Sequence, residues 1–238
     1  MKYRIQKLIS KAGISSRRNA EALIKEGRVK LNGIKAEIGD KADPKIDKIV
    51  VDGNIINLEI KYKVILVNKP SGIISTCHDP QGRKTLISLL PANKIRQGLH
   101  PVGRLDQNSR GAILLSNNGE LTLKLTHPKY AHQKTYRVWV KGIPSRLTLR
   151  EWETGIILDN KKTLEAKVRI MKIHENKSLL NIILREGRNR QIRRVANKLG
   201  HPVLDLQRIA IADISLKNLK EGSWRELEEH EWMKLIRI

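Results

Sequence analysis

The chain has 238 residues, of which 39% are hydrophobic and 30% are charged, so it can bury a core and form one or two domains. A net charge of +23 favours a polyanionic partner, because lysine or arginine placed on a phosphate releases condensed counterions. The single cysteine, Cys77, excludes an internal disulfide and a thiolate metal site, and it indicates a reducing compartment. No apolar run is long enough to cross a bilayer, so we expect no membrane partner.

The first 60 residues predict a module of two helices followed by short strands. Apolar side chains recur at helical spacing over residues 5–12 and again over 20–24, and a glycine follows each segment. Two dipeptides that are typical of β-hairpin turns come next, Asn32-Gly33 and Asp52-Gly53.

Basic residues stand at both ends of the second predicted helix, with Arg17 and Arg18 at its start and Arg28 just after it. Amides at a helix N-terminus can add to a phosphate site, although a solvated charged face would give the same pattern. The order of these residues, together with Asn32-Gly33, resembles the S4-type RNA-binding domain. That resemblance implies that Arg17, Arg18 and Arg28 contact structured RNA.

From about residue 61 onward, short strands and helices alternate irregularly to the end of the chain. Strands are predicted over residues 64–67, 98–104, 111–115, 134–140, 164–173, 179–184 and 208–216. Helices are predicted over residues 121–125, 147–153, 190–199 and 228–236. Adjacent strands without regular crossover helices favour an α+β fold with a mostly antiparallel, mixed central sheet flanked by helices. We expect one domain over residues 1–60 and a second over 61–238.

One segment that could carry chemistry is a loop predicted between two apolar strands, centred on Asp106. Arg104 and Arg110 flank this acid, as do two glycines that permit close approach of a ligand to the backbone. A neighbouring arginine keeps an aspartate ionised, and an ionised carboxylate in a basic cleft can act as a nucleophile or a base. By spacing alone, a surface turn with a local ion pair explains the same residues.

A second segment is basic and helical, and it begins near Arg190. Its apolar face would contain Ile192, and Arg193 would flank that face while Arg194 would point away. Arg193 can therefore reach into a cleft, whereas a solvated basic helix is the plain alternative. The seven histidines show no zinc-type spacing and no phosphate loop or dinucleotide loop is present, so we expect no metal and no cofactor.

Together these segments resemble the RsuA/RluB group of pseudouridine synthases, which modify ribosomal RNA. Matching motifs run in family order along nearly the whole chain, the S4-like module included. After the S4-like module, the matching motifs are Lys69-Pro70-Ser71-Gly72, Gly103-Arg104-Leu105-Asp106, Asn118-Gly119-Glu120, Thr126-His127-Pro128, Lys134-Thr135-Tyr136, Glu186-Gly187-Arg188-Asn189-Arg190-Gln191-Ile192-Arg193-Arg194 and Gly200-His201-Pro202-Val203. The family usually has Thr at position 109 and an apolar residue at position 110, where this chain has Ser109 and Arg110.

The resemblance implies an enzyme that isomerises a uridine of ribosomal RNA, and it favours the RNA of the large subunit. It also implies that the enzyme acts in the cytoplasm or in an organelle of bacterial descent. It implies that Asp106 is the essential carboxylate, as attacking group or as base, that Tyr136 stacks on the target base and that Arg193 is the basic partner of the aspartate. Ile192 would lie under the base, and Arg104 would fill its vacated space or hold a phosphate. Further phosphate contacts would come from Lys69, Lys134, Arg188, Arg190 and Arg194.

Two other interpretations remain. A non-catalytic RNA-binding protein with an S4-like module would explain the charge and the first 60 residues, but not the joint occurrence of Asp106, Tyr136 and Arg193. A DNA-binding protein has little support, because no helix-turn-helix or zinc-finger pattern is visible. We expect a monomer, since no self-complementary apolar stripe is evident.

Overall fold

The computed structural model describes residues 1–58, 61–92, 96 and 98–236. The described residues divide into two compact units, one of them built on residues 1–63 and joined by 90–100 and 116–118. The other unit comprises residues 64–89, 101–115 and 119 onward. The helix expected over residues 228–236 is shorter in the structure and spans Glu229–Met233, because the amides of Leu235 and Ile236 donate three residues back in a closing turn.

The first unit contains two helices and a four-stranded antiparallel sheet in the order β3-β2-β5-β6, beside a separate β1–β4 pair. Its elements in chain order are β1 (Tyr3–Arg4), α1 (Ile5–Lys11), α2 (Arg17–Lys25), β2 (Val29–Leu31), β3 (Ile34–Lys35), β4 (Lys41–Ala42), β5 (Ile49–Val51) and β6 (Asn54–Ile55). The predicted helices and both predicted hairpins are confirmed. Ser16 caps α2 by accepting a hydrogen bond from the Asn19 amide at 3.2 Å.

The remaining elements lie mainly in the second unit. They are β7 (Val64–Lys69), a 3-10 helix (Leu86–Leu89), β8 (His100–Val102), β9 (Arg110–Ser116), α3 (Gly119–Thr126), a 3-10 helix (Pro128–Tyr130), β10 (Lys134–Lys141), α4 (Arg146–Thr154), β11 (Ile157–Leu158), β12 (Lys161–Lys162), β13 (Lys167–His174), β14 (Lys177–Leu184), α5 (Gln191–Lys198), β15 (Val203–Ile211), β16 (Ile214–Ser215), β17 (Trp224–Glu226) and α6 (Glu229–Met233).

A nine-stranded sheet organises this part of the described chain, in the order β13-β14-β10-β15-β9-β7-β17, with β16 on β15 and β8 on β9. The central pairs of β10 with β14 and β15 are antiparallel, and β9 runs parallel to β15. The fold is therefore α+β with a mostly antiparallel central sheet, as predicted. Helices α3 and α6 contribute to one apolar cluster with β7 and β9, and α4 and α5 contribute to another with β10 and β14.

Three of the predicted strands have wrong boundaries. The strand expected over 208–216 is β15, which begins five residues earlier and ends before Ala212, whose φ of 46° turns the chain into β16. The strand expected to begin at 164 begins at Lys167, because the amides of Leu164 and Ala166 donate to the Glu186 carboxylate and to the carbonyl of Glu153 rather than to a neighbouring strand. The strand expected over 98–104 is shortened to His100–Val102, since Gly103 has a φ of 78°.

Candidate active site

A cavity of about 220 Å³ opens in the second unit, several times the roughly 30 Å³ that a water molecule occupies in the liquid. The loop between β8 and β9, the segment after α3, strands β10 and β15, and the N-terminal half of α5 line it. Most of the residues singled out in the sequence line this cavity: Arg104, Asp106, Lys134, Tyr136, Arg188, Arg190, Ile192 and Arg193. Residues more than 80 positions apart in sequence are thus brought together.

Asp106 lies in the loop between β8 and β9 with a side chain that is 30% exposed. Within the described residues its one ion pair joins Oδ2 to Nη1 of Arg190. At 3.5 Å this contact is longer than the 2.7–2.9 Å typical of strong charged hydrogen bonds. Arg190 adopts a left-handed φ of 49° at the start of α5. The carboxylate is therefore near a cation while most of its acceptor capacity stays available for a ligand.

The two residues beside Asp106 are each held by the end of β7 or the segment that follows it. Ser75 donates its hydroxyl to the carbonyl of Leu105 at 2.8 Å and accepts from the amide of Leu105 at 3.1 Å. The carbonyl of Gln107 accepts from the Gly72 amide at 2.9 Å and from Lys69 Nζ at 3.2 Å. These contacts fix the backbone on both sides of the aspartate.

Lys69 corrects the expectation of a phosphate contact, because its side chain is completely buried. Its Nζ donates to the carbonyls of Pro70 and Gln107 and so supports the loop from inside. Burial lowers the pKa of Lys69 to about 8, against the opposing attraction of the Asp106 and Glu221 carboxylates. A buried ammonium cannot reach RNA without rearrangement of the chain around it.

Arg193 extends from α5 to the loop that carries Asp106. Its Nη2 donates to the carbonyl of Asn108 at 2.9 Å and lies 3.4 Å from the hydroxyl of Ser109. Burial lowers the pKa of Arg193, as does nearby Arg190. The helical spacing placed Arg193 on the cleft side correctly, but the ion pair with Asp106 is formed by Arg190 rather than by Arg193.

Tyr136 and Ile192 supply apolar surface to the cavity. Tyr136 is 7% exposed on β10, where it pairs with Ile182 of β14 and Arg208 of β15. Ile192 is 5% exposed in the first turn of α5. A flat ring entering the cavity would therefore meet an aromatic ring and an aliphatic side chain as well as charged groups.

Two predicted phosphate contacts are already bonded within the protein. The guanidinium of Arg188 donates to Glu186 and to the carbonyls of Lys161 and Lys162, so it fastens the turn before α5 to β12. Arg194 forms a bidentate pair with Asp159. A phosphate would have to displace these partners, and the contact of Arg188 and Arg194 with RNA stays a prediction.

The remaining predicted contacts differ in accessibility. Arg104 is exposed at the cavity, and the structure gives its side chain no hydrogen bond or ion pair within the described residues. Lys134 is partly buried, its Nζ donates to the carbonyl of His132 at 3.0 Å, and its pKa is lowered by burial and by nearby Arg208. Arg104 is thus placed for a phosphate at the surface, whereas Lys134 faces the interior of the cavity.

In the first unit, Arg17 and Arg18 are exposed in the first turn of α2. Arg28 is also exposed, but it forms a bidentate pair with Asp52 and a further pair with Glu26. Arg28 is therefore already paired within the first unit, and its contact with RNA stays a prediction.

Sequence reasoning missed residues whose roles depend on distant partners. Glu186 holds the turn before α5 by accepting from the Leu164 amide, from Gln191 and from Arg188. Arg110, which replaces an apolar family residue, forms a bidentate pair with Asp205, so its charge is balanced. Their charge and motif position were visible in the sequence, but their partners were not.

Two further searches cover only the described part of the chain. No group of three or more histidine, cysteine, aspartate or glutamate side chains is arranged there to hold a metal ion. None of its helices combines the length and the apolar character needed to span a membrane.

Comparison with known proteins identifies the family and the fold. The sequence model of the RNA pseudouridylate synthase family matches residues 63–198, and that of the S4 domain matches residues 4–45. The chain is 43% identical to ribosomal large subunit pseudouridine synthase B of Bacillus subtilis, over 98% of this chain and 95% of that protein. It is 35% identical to the dual-specificity RNA pseudouridine synthase RluF of Escherichia coli, over 99% of this chain and 79% of that protein.

A solved structure agrees with these matches. A crystal structure of a pseudouridylate synthase superposes with a TM-score of 0.69 at 26% identity, covering 98% of this chain and 99% of the other. The chain therefore belongs to the RNA pseudouridylate synthase family and carries an S4 domain at its N-terminus. It is an RNA pseudouridine synthase, an isomerase, and the resemblance read from the motifs is confirmed.

Proposed function

We propose that this chain converts a specific uridine of ribosomal RNA, in the large subunit, to pseudouridine without a cofactor and with Asp106 as the essential carboxylate. The observation that carries this proposal is the partly exposed carboxylate of Asp106 in a cavity that Tyr136 and Arg193 also line. The ribosomal substrate is supported by the relative from Bacillus subtilis, whose name specifies the large ribosomal subunit.

The reaction breaks the N–C bond between uracil and ribose, turns the base and rejoins it through C5. No atom enters or leaves and no electron is transferred to a second reactant, so the residues of the chain can suffice. Asp106 acts at the ribose, either as a nucleophile or as a base, because its carboxylate keeps lone pairs free of strong bonds. Tyr136 stacks on the uracil and Ile192 lies beneath it, while Arg193 holds the loop at Asn108.

RNA reaches this cavity only if the target uridine leaves its stack, which costs a few kcal/mol. Backbone contacts made by a chain of net charge +23 offset that cost. Exposed Arg104 holds a phosphate or fills the space that the base leaves, and Arg190 can turn from Asp106 toward a phosphate. Arg17 and Arg18 add contacts from the S4 domain.

The proposal also covers organisation and setting. Residues 1–60 bind RNA, and residues 61–238 perform the isomerisation. The chain acts as a monomer in the cytoplasm during ribosome biogenesis, because its proposed substrate is the ribosomal RNA itself.

The test is pseudouridine mapping of ribosomal RNA from cells that lack the protein, complemented with the wild type or with Asp106→Asn. We expect one mark, or a few adjacent marks, to disappear from large-subunit RNA and to return with the wild type alone. The substitution keeps the size of the side chain and removes the charge, so it tests the carboxylate itself. Asp213→Asn is the matched control, since Asp213 is an exposed turn residue that does not line the cavity.

Three results would contradict parts of the proposal. An unchanged map would exclude ribosomal RNA and direct attention to transfer RNA. Loss of a mark in small-subunit RNA would move the substrate to the other subunit. Restoration by Asp106→Asn, at the same protein level as the wild type, would show that another residue is essential.

A further inference from the structure

Buried polar atoms without partners cluster around the cavity. Nε2 of His132 and Nη2 of Arg208 are both inaccessible to solvent, and neither has a hydrogen-bond partner within the part of the chain that the structure describes. Their side chains are 6% and 5% exposed, and both line the cavity. Buried polar atoms are normally satisfied, so unmet ones around a cavity indicate that a ligand or an ordered water supplies the missing partner.

The same part of the cavity carries uncompensated positive charge. Arg208 donates Nε to the carbonyl of Ala112 at 2.7 Å, and Lys134 donates to the carbonyl of His132. Neither cation forms an ion pair with a carboxylate among the described residues. The two cations also repel each other, since Arg208 contributes to the lowered pKa of Lys134. Burying two neighbouring cations without an anion is unfavourable. This indicates that negative charge enters this region during function.

The position of Tyr136 relates this cluster to the base. Tyr136 and Arg208 are direct cross-strand partners on β10 and β15, and side chains in such pairs lie about 5 Å apart at Cβ on one face of the sheet. Lys134 precedes Tyr136 by two residues on the same strand and lines the same cavity. A uracil stacked on Tyr136 would therefore direct an edge toward Lys134 and Arg208.

We propose that Lys134 and Arg208, supported by His132, bind the uracil and stabilise the negative charge that it carries while it is detached from the ribose. When the bond from N1 to the ribose breaks, its electron pair stays on the base and spreads to the carbonyl oxygens. When C5 forms the new bond to C1′ of the ribose, the pair is used, and Asp106 leaves C1′ if it had attacked there. A base then removes the C5 proton and N1 takes up a proton, so the product has the same atoms as the uridine. Fixed cations stabilise this charge most when it is fully developed, so they accelerate the reaction rather than only binding RNA.

A backbone phosphate is the alternative occupant, and the accessibility of the cluster disfavours it. The side chains of Arg208 and His132 are almost completely buried, whereas a phosphate is strongly hydrated and would have to lose much of that hydration to contact them. A phosphate also carries the same charge before and after the reaction. Its contact would change affinity without a selective effect on the chemical step.

The test uses the full chain and a short RNA that contains the mapped uridine, with a second RNA that has 5-fluorouridine at that position. Fluorine withdraws electrons, so 5-fluorouracil leaves the ribose with less need for stabilisation. The measured quantity is the single-turnover rate at which the N-glycosidic bond of the target nucleoside is broken. We expect Lys134→Met to lower this rate about 100-fold with uridine, which is the typical effect of removing one hydrogen-bond donor that stabilises negative charge in the transition state. The loss should be at least five-fold smaller with 5-fluorouridine, and Kd for RNA should change less than about three-fold. Lys134→Arg should restore most of the rate.

Arg137→Met is the matched control, because Arg137 is an exposed cation on the same strand and does not line the cavity. An equal loss with both RNAs, an unchanged rate, or weaker RNA binding with an unchanged rate would each overturn the proposal, and the last would indicate a phosphate contact. The inference rests on the proposed function, and the two can fail separately. If the proposed function is wrong, the wild type itself will convert neither RNA. Arg208→Gln is informative only if its thermal unfolding matches the wild type, so the decisive comparison is made at Lys134.

Discussion

Replacing Ser75 with alanine tests whether the backbone around Asp106 must be held in place. The Ser75 side chain is 6% exposed, and its hydroxyl satisfies both the amide and the carbonyl of Leu105 in a buried environment. An unsatisfied buried group costs about 1–3 kcal/mol, so we expect the free energy of unfolding to fall by about 2–3 kcal/mol. For a chain of this size, that corresponds to a Tm decrease of roughly 4–12 °C.

The effect on activity should exceed this loss of stability. Without Ser75, the loop is free to move at the residue preceding Asp106, and small displacements of a reacting group lower rates strongly. We expect kcat to fall at least ten-fold at a temperature where the variant is fully folded, with little change in Kd for RNA. The assay is single-turnover pseudouridine formation, run beside thermal unfolding followed by circular dichroism.

Ser178→Ala is the control for Ser75→Ala. Ser178 is completely buried on β14, and its hydroxyl donates to the carbonyl of Gly142 at 2.9 Å without lining the cavity. The Ser178→Ala variant should show a similar decrease in the free energy of unfolding and keep the kcat of the wild type. Equal kcat values for the two folded variants would refute the idea that Ser75 positions Asp106.

Three further substitutions test contacts around the site. Lys69→Met removes a lysine whose pKa is about 8 in the folded chain and 10.5 ordinarily. Between pH 8 and 10.5 only the unfolded chain keeps the proton, so raising the pH favours the folded wild type. In urea titrations, the free energy of unfolding of the wild type should therefore rise relative to that of the variant from pH 8 to 10. Gly111→Ala should destabilise by more than about 3 kcal/mol or prevent folding, because φ is 110° and the new methyl would lie 2.7 Å from the Arg208 backbone nitrogen. Arg110→Leu, which breaks a partly exposed pair with Asp205, should cost at most about 1 kcal/mol at low salt and less at high salt.

Each of these substitutions has its own control. A pH dependence that is identical in wild type and Lys69→Met would show that Lys69 is not the titrating group. Gly119→Ala should be tolerated, since no atom lies within 4 Å of the added methyl, and normal stability of Gly111→Ala would contradict the close approach of the strands. A salt-independent loss in Arg110→Leu would attribute its effect to packing rather than charge.

Local structure was largely encoded in local sequence. Helical spacing and the glycine after each segment predicted α1 and α2, and Asn-Gly and Asp-Gly predicted the hairpins, because these features depend on residues that are near neighbours. The same periodicity placed Arg193 on the cleft side of α5. Motif order identified the family, since several independent motifs rarely occur together by chance.

The tertiary structure decided which charges are available and which are already paired. Lys69, Arg188 and Arg194 all looked like phosphate contacts, yet one is buried and the others are bonded to partners 27 and 35 residues away. The contact of Arg190 with Asp106 spans 84 residues, and the pairing of Tyr136 with Arg208 requires β10 and β15 to be neighbours. Periodicity and motifs describe one segment at a time, so they determine the face on which a side chain lies. Its partner is determined only when the sheet brings distant segments together.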